Sequence, residues 1–265
     1  MSNVTATATP RLALRGVSVH YAGSPAPVLR DLDLSVEAGE FLVLLGDSGC
    51  GKTTTLELIN RLRTPTAGTI ELDGTAIETL APPELRRQIG YAFQGVGLFP
   101  HWTVAQNIAV VPKLLEWSGE RIDARVSELL ERVRLPDSMR DRLPHELSGG
   151  QRQRVGFARA LAAEPRIVLL DEPFGALDPQ TRAELQTELA EWHRALDLTV
   201  VMVTHDVLEA LQLADQIVLL GEGNALFRGT PAEFVRSTDA KVQSLLRAAR
   251  AVQSTLEQLE GKGGA

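Results

Sequence analysis

The stretch GDSGCGKTT, from Gly46 to Thr54, carries the residue types that grip a phosphate. It fits the pattern G-x-x-x-x-G-K-[ST] at Gly46, Gly51, Lys52 and Thr53. An apolar run, FLVLL, precedes it, and a helical pattern, TTTLELINRL, follows. In such a strand-to-helix turn the glycines let backbone N–H groups curl around an anion, where the helix dipole favours negative charge. The loop as a whole (Gly46, Ser48, Gly49, Cys50, Gly51, Lys52, Thr53, Thr54) is expected to cradle a nucleotide. Lys52 is expected on the β- and γ-phosphates and the Thr53 hydroxyl on Mg2+. Further on, IVLLDEP ends an apolar run in two carboxylates. Asp171 is placed to hold the metal, mostly through water, and Glu172 to take a proton from an attacking water. These parts suit an ATP or GTP hydrolase and equally a kinase.

A second glycine-bearing stretch, ELSGGQRQRVGFARALA, runs from Glu146 to Ala162. Ser148 followed three residues later by Gln151 reads as a capping box, so a helix starts there and aims its free N–H groups at an anion. The QRQR inside it reads as the solvated first turn of that helix rather than a nucleic-acid contact. Asp178, in GALDPQ, stands before Pro179 and reads as the N-cap of another helix. One chain thus carries two phosphate cradles, and the residues alone do not say whose phosphate the second one holds.

Residues 11–36 alternate apolar and polar, as half-buried antiparallel strands do, and GTIELDG (68–74) and NALFRGT (224–230) read the same way. FLVLLG (41–46), IVLLD (167–171), TVVMVTH (199–205) and QIVLLG (216–221) are wholly apolar runs, which suit parallel strands buried on both faces. Helical patterns separate them, so the core is expected to be an α/β sheet with crossover helices. From about Leu98 to Ala162 the pattern is helical, with Ile122, Val126, Leu129, Leu130 and Val133 on one face. This segment is expected to be a helical subdomain inserted into the sheet domain. Beyond Pro231 the pattern is helical again and ends in GKGGA, expected to fray.

A net charge of −7 and a pI near 5.4 argue against broad nucleic-acid binding, which needs a basic face. The single cysteine, Cys50, cannot form an internal disulfide. The N-terminus lacks a basic region followed by an apolar stretch, so no secretory signal is expected. No apolar run approaches the ~20 residues that cross a bilayer. The four histidines other than His205 show no metal-ligand spacing.

The order of motifs is P-loop, Gln94, LSGGQRQR, LLDEP, GALDPQ, VTHD. This resembles the nucleotide-binding subunit of ATP-binding cassette (ABC) transporters over about residues 11–235, leaving 236–265 as a helical tail. The resemblance implies a P-loop NTPase (RecA-like) α/β core with an antiparallel β subdomain and an inserted helical subdomain. It also implies ATP and Mg2+ as cofactors and answers the question of the second cradle. Two copies pack head to tail, and Ser148, Gly149, Gly150 and Gln151 of one close over the γ-phosphate held by the other's P-loop. Tyr21 matches the aromatic that stacks on adenine; otherwise it is an edge-strand surface tyrosine. Gln94 matches the glutamine that senses Mg2+ and water and links the site to the membrane partner. His205 matches the histidine on the γ-phosphate, and Asp178 the loop that speaks to the opposite site. The chain departs from the family at Asp47, where proline is common; this side chain is expected to face solvent. Cys50 lies in the loop, and its position suggests that nucleotide binding is sensitive to thiol modification.

The stretch QGVGLFPHWTVAQNIAVVPKLLEW, through Trp117, resembles the importers of quaternary ammonium osmoprotectants such as glycine betaine, choline and carnitine. MRDRLPHELSGGQ and DEPFGALDPQTR point the same way. Importers of amino acids or other polar solutes are the alternative. The resemblance implies permease subunits, an extracytoplasmic binding protein that acts indirectly, no nucleic acid, and a peripheral place on the cytoplasmic face of the membrane. Many osmoprotectant ATPases continue into a C-terminal regulatory pair of domains. About thirty residues follow GTPAEF here, so direct osmosensing by this chain is not expected. Two rivals remain: a soluble ABC protein without a permease, and a P-loop kinase, which would have no use for LSGGQRQR.

Overall fold

Alternation of apolar and polar residues gives a strand one buried and one wet face. In the computed structural model the first two such runs are β1 (Leu12–Val19) and β2 (Leu29–Val36), paired antiparallel. The described residues are 9–21, 23 and 26–262, with side chains described no further than 251. Residues 1–8, read above for a secretory signal, and 263–265 of the GKGGA tail lie outside them. β3 (Phe41–Gly46) is buried along its whole length and leads through the glycine loop into α1 (Lys52–Ile59). β4 (Ala67–Leu72) and β5 (Thr75–Ala76) complete a four-stranded antiparallel sheet in the order β2-β1-β4-β5.

After α2 (Pro82–Arg87) comes β6 (Ile89–Ala92), a strand too short and too interrupted by Gly90 and Tyr91 to stand out as an apolar run. Between it and the next strand lie α3 (Val104–Ile108), α4 (Val110–Leu114), α5 (Gly119–Arg132) and α6 (Gly149–Leu161). α5 turns Val126, Leu129 and Leu130 inward, as its apolar spacing requires. β7 (Ile167–Asp171), α7 (Pro179–Leu196), β8 (Val200–Thr204), α8 (Val207–Leu213), β9 (Gln216–Gly221) and β10 (Asn224–Gly229) follow. α9 (Pro231–Arg236) and α10 (Ala240–Lys262) end the described chain.

The second sheet has the order β10-β9-β3-β8-β7-β6, parallel throughout except for β10. β3 divides its residues between two apolar cores. Phe41, Val43 and Leu45 join Phe157, Phe174 and Trp192, while Leu42 and Leu44 join Leu14 and Leu32 of the antiparallel sheet. Both faces are covered, which is why β3, β7, β8 and β9 are nearly continuous apolar runs. Because β3, β6, β7 and β8 are parallel, their C-terminal ends share one edge. Gly46, Gln94, Glu172 and His205 all leave the sheet there, at the edge where open α/β sheets place their ligands.

The QRQR turn is not the solvated face expected of it. Gln153 is buried, Arg152 donates to the Leu147 carbonyl at 2.6 Å, and Arg154 lies 2.8 Å from the buried Glu188 of α7. Arg154 thus ties α6 to α7.

Candidate active site

α1 begins at Lys52 behind Gly51, which has φ of 105° and offers no side-chain cap. The first N–H groups of the helix therefore have no side-chain acceptor and face the loop, which suits an anion. Gly46 must be glycine, because a Cβ there would lie 2.5 Å from the Leu220 carbonyl oxygen and 2.7 Å from Cys50 Sγ. Lys52 is buried, and its ammonium donates to the carbonyls of Gly46 (2.6 Å) and Asp47 (2.8 Å), holding the loop curled.

Across from the loop, Thr53 Oγ1 donates to Asp171 at 3.2 Å, and Tyr91 donates to the other oxygen of the same carboxylate at 3.5 Å. Burial, with Glu172 adjoining, raises the pKa of Asp171 above the usual range, while the Thr53 hydrogen bond opposes this. Glu172 receives the Gln94 amide at 3.3 Å and lies 3.4 Å from His205 Nδ1. Glu172 has φ of 43°, in the left-handed region that non-glycine residues seldom occupy, as strained functional positions often do.

A cavity of about 410 Å3 lies between these groups, lined by Ser48, Gly49, Gly51, Lys52, Thr53, Thr54, Gln94, Glu172 and His205. Residues far apart in the chain thus converge on one space. Its donor set fits a nucleotide with a hard cation: open helix amides and a lysine for phosphate, and the oxygens of Thr53 and Asp171 for Mg2+, which keeps much of its water. Among the described residues no three His, Cys, Asp or Glu side chains gather as a denser metal site.

Other expected positions stand apart from that space. Cys50 is turned inward behind Gly46; it is 9% exposed and burial raises its thiol pKa, so the expectation of a readily modified thiol does not fit its setting. Asp47 points out of the loop, as expected, but it is held 2.6 Å from Lys241 on α10, which lowers its pKa by hydrogen bond and charge. Tyr21 places its hydroxyl 3.3 Å from Thr54 Oγ1 and has the Arg63 guanidinium 5.0 Å from its ring centroid.

Ser148 caps α6 by accepting from Gln151 N at 3.2 Å, and Ser148 N donates to Gln151 Oε1 at 2.9 Å. None of Ser148, Gly150 and Gln151 lines the P-loop cavity. Gly149 lines a neighbouring one, of about 380 Å3, with Gln94, Glu172 and His205. Gly150 has a packing reason to be glycine: a Cβ would lie 2.5 Å from the Thr181 methyl of α7. Asp178 accepts from Thr181 N at 3.0 Å and caps α7.

Two residues here escaped sequence reasoning. Tyr91 sits three positions before Gln94, and the only signal for it was that neighbourhood. Arg159, mostly buried in α6, donates to the carbonyls of Val96 and Gly97 at 2.7 Å each, bracing the loop that follows Gln94. Val96 is held at φ of 68°, unusual for a β-branched residue. An arginine on an amphipathic helix announces no such role.

The sequence profile described as ABC transporter matches residues 29–175, more than half of the chain. The chain belongs to the ABC transporter family. This cassette is 50% identical over 244 residues to the glycine betaine/carnitine/choline transport ATP-binding protein OpuCA of Bacillus subtilis, covering 92% of this chain and 64% of that one. It is 54% identical over 203 residues to the glycine betaine uptake system ATP-binding protein YehX of Escherichia coli, covering 77% and 66%. The chain therefore spans just under two thirds of the length of these relatives. Among solved structures it resembles the ATP-binding cassette MJ0796, a dimer in a post-hydrolysis state bound to ADP and Pi. That match has TM-score 0.74 and 33% identity, covering 83% of this chain and 98% of the other. Among the described residues no helix of the cassette is long and apolar enough to cross a membrane.

Proposed function

We propose that this cassette hydrolyses ATP as the nucleotide-binding subunit of an importer for a quaternary ammonium osmoprotectant such as glycine betaine or choline. Two copies work head to tail at the cytoplasmic face of the membrane, attached through permease subunits, with an extracytoplasmic binding protein presenting the solute. The observation that carries this reading is the convergence of Lys52, Thr53, Gln94, Glu172 and His205 on one cavity at the C-terminal edge of parallel strands.

Lys52 and the open amides of α1 bind the β- and γ-phosphates. Thr53 and Asp171, with Gln94 nearby, are the groups to hold Mg2+, which when bound neutralises charge on the phosphoryl oxygens. Glu172 takes the proton of the attacking water. Gln94 and His205 flank that carboxylate at 3.3 and 3.4 Å and orient it, and His205 also stabilises charge on the γ-phosphate. Ser148 and Gly149 of the second copy complete the phosphate shell, since the chain's own Ser148 lies outside its P-loop cavity. Tyr21 is the platform for adenine, and Asp178 faces the opposite site. The substrate class rests on the likeness to OpuCA and YehX and on the stretch through Trp117.

Glu172→Gln should keep ATP binding while turnover falls about 10²–10⁴-fold, the range of a lost general base. Uptake of labelled glycine betaine at high osmolarity, in cells lacking other betaine transporters, separates the claims. Uptake lost in the Glu172→Gln strain supports both the role and the solute. Equal uptake in the two strains, with ATPase activity lost only in the variant, leaves the ATPase and moves the solute to another polar compound. Wild-type turnover in the variant removes Glu172 from its role.

A further inference from the structure

The His205 side chain is 65% exposed, and the contact that orients it is the one to Glu172. Its position in the cavity is therefore set largely by the backbone on either side. That backbone is tied down by a buried polar cluster. Thr204 Oγ1 donates to Glu209 at 2.5 Å and accepts from Asp206 N at 3.0 Å, so one hydroxyl spans His205 from both sides. Glu209 is 5% exposed, and its other oxygen receives the Gln186 amide of α7 at 3.3 Å. Asp206 caps α8 at Leu208 N (2.8 Å) and faces Arg182 of α7 at 3.8 Å. Glu172, Arg182, His205, Asp206 and Glu209 share a small cavity of about 50 Å3 directly behind the site. A buried carboxylate with both oxygens engaged is costly to desolvate, which burial expresses by raising its pKa. A plain packing position would be filled by an apolar side chain.

We infer that Glu209 is a positioning residue of hydrolysis: through Thr204 it fixes the strand end that holds His205 against Glu172, and through Gln186 it ties that strand end to α7. This rests on the ATPase reading above. It differs from a stability role because the effect must pass through His205. α7 also starts at Asp178 and touches α6 at Gly150, so the clamp connects the chain's own phosphate site to the surface offered to a second copy.

The test is steady-state ATPase kinetics and ATP affinity of the full chain, for Thr204→Val, Glu209→Ala, Glu209→Gln, His205→Ala and the double variant Thr204→Val/His205→Ala. Thr204→Val keeps the shape and removes the bridging hydroxyl. It and Glu209→Ala should lower kcat about 10–100-fold, the scale of a misplaced catalytic group, with ATP affinity within about twofold. Glu209→Gln still offers an oxygen to Thr204 and should recover most of the loss. The double variant should be no slower than His205→Ala alone. Wild-type kcat in Thr204→Val, or losses that multiply in the double variant, would overturn the inference. Should Glu209→Ala fail to fold, Thr204→Val and the double variant decide alone. His205→Ala with undiminished turnover would sink the role of His205 and this inference together; lost activity there with full activity in Thr204→Val sinks the inference only.

Discussion

At the scale of single residues, the glycine loop sends its side chains in opposite directions: Lys52 curls it through the Gly46 and Asp47 carbonyls, while Cys50 turns inward behind it. Cys50 shows the limit of position-based reading, since a residue can belong to a loop while its side chain points away from it. Its thiol should react with N-ethylmaleimide at neutral pH far more slowly in the native chain than in denaturant, because it is buried and its pKa is raised. Mass-spectrometric labelling checks this; comparable rates in the two states would return Cys50 to the cavity surface. Lys52, Thr53, Asp171 and Glu172 are legible in the sequence because a chemistry needs those types at short, fixed spacing; Tyr91 and Glu209 are not, because their meaning lies in hydrogen bonds to a residue 80 positions away and to a side chain on another helix.

At the scale of elements, the apolar runs pointed to β3, β7, β8 and β9, since burial on both faces leaves polar residues only at the strand ends. β6 was less visible because it is an edge strand of four residues, with Gly90 and a half-buried tyrosine inside it. The starts of α6 and α7 carry information of another kind. Gly150 meets the Thr181 methyl so closely that Gly150→Ala should destabilise the chain by about 1–3 kcal/mol, as overpacking does. Thr181→Ser in the same chain should restore much of that by removing the methyl. Urea denaturation of the single and double variants checks the pair, and equal loss in both would show that Thr181 is not the cause.

At the scale of the whole molecule, the two cradles differ in how their helices begin. The helix at the P-loop has no side-chain cap, whereas Ser148 satisfies the start of α6 within its own chain. One helix start is left open to an anion; the other is already capped within its own chain, and under the proposed function a second copy meets it. The Glu172→Gln chain with ATP and Mg2+ should therefore sediment as a dimer at concentrations where the nucleotide-free chain is a monomer. Ser148→Arg should abolish the shift by crowding the meeting point. A monomer in every condition would leave the second cradle without a role in phosphate binding.

The Arg159 brace gives the site two supports. Asp171, Glu172 and His205 stand at strand ends and Lys52 at the start of α1, but the loop after Gln94 is fastened to α6 by one guanidinium. Any tilt of the helical segment against the sheet carries Gln94 toward or away from Glu172, like a key withdrawn from a lock whose body stays still. Under the proposed function, a permease subunit that leans on those helices sets the posture of the cavity, and so the moment of hydrolysis, without approaching the phosphate.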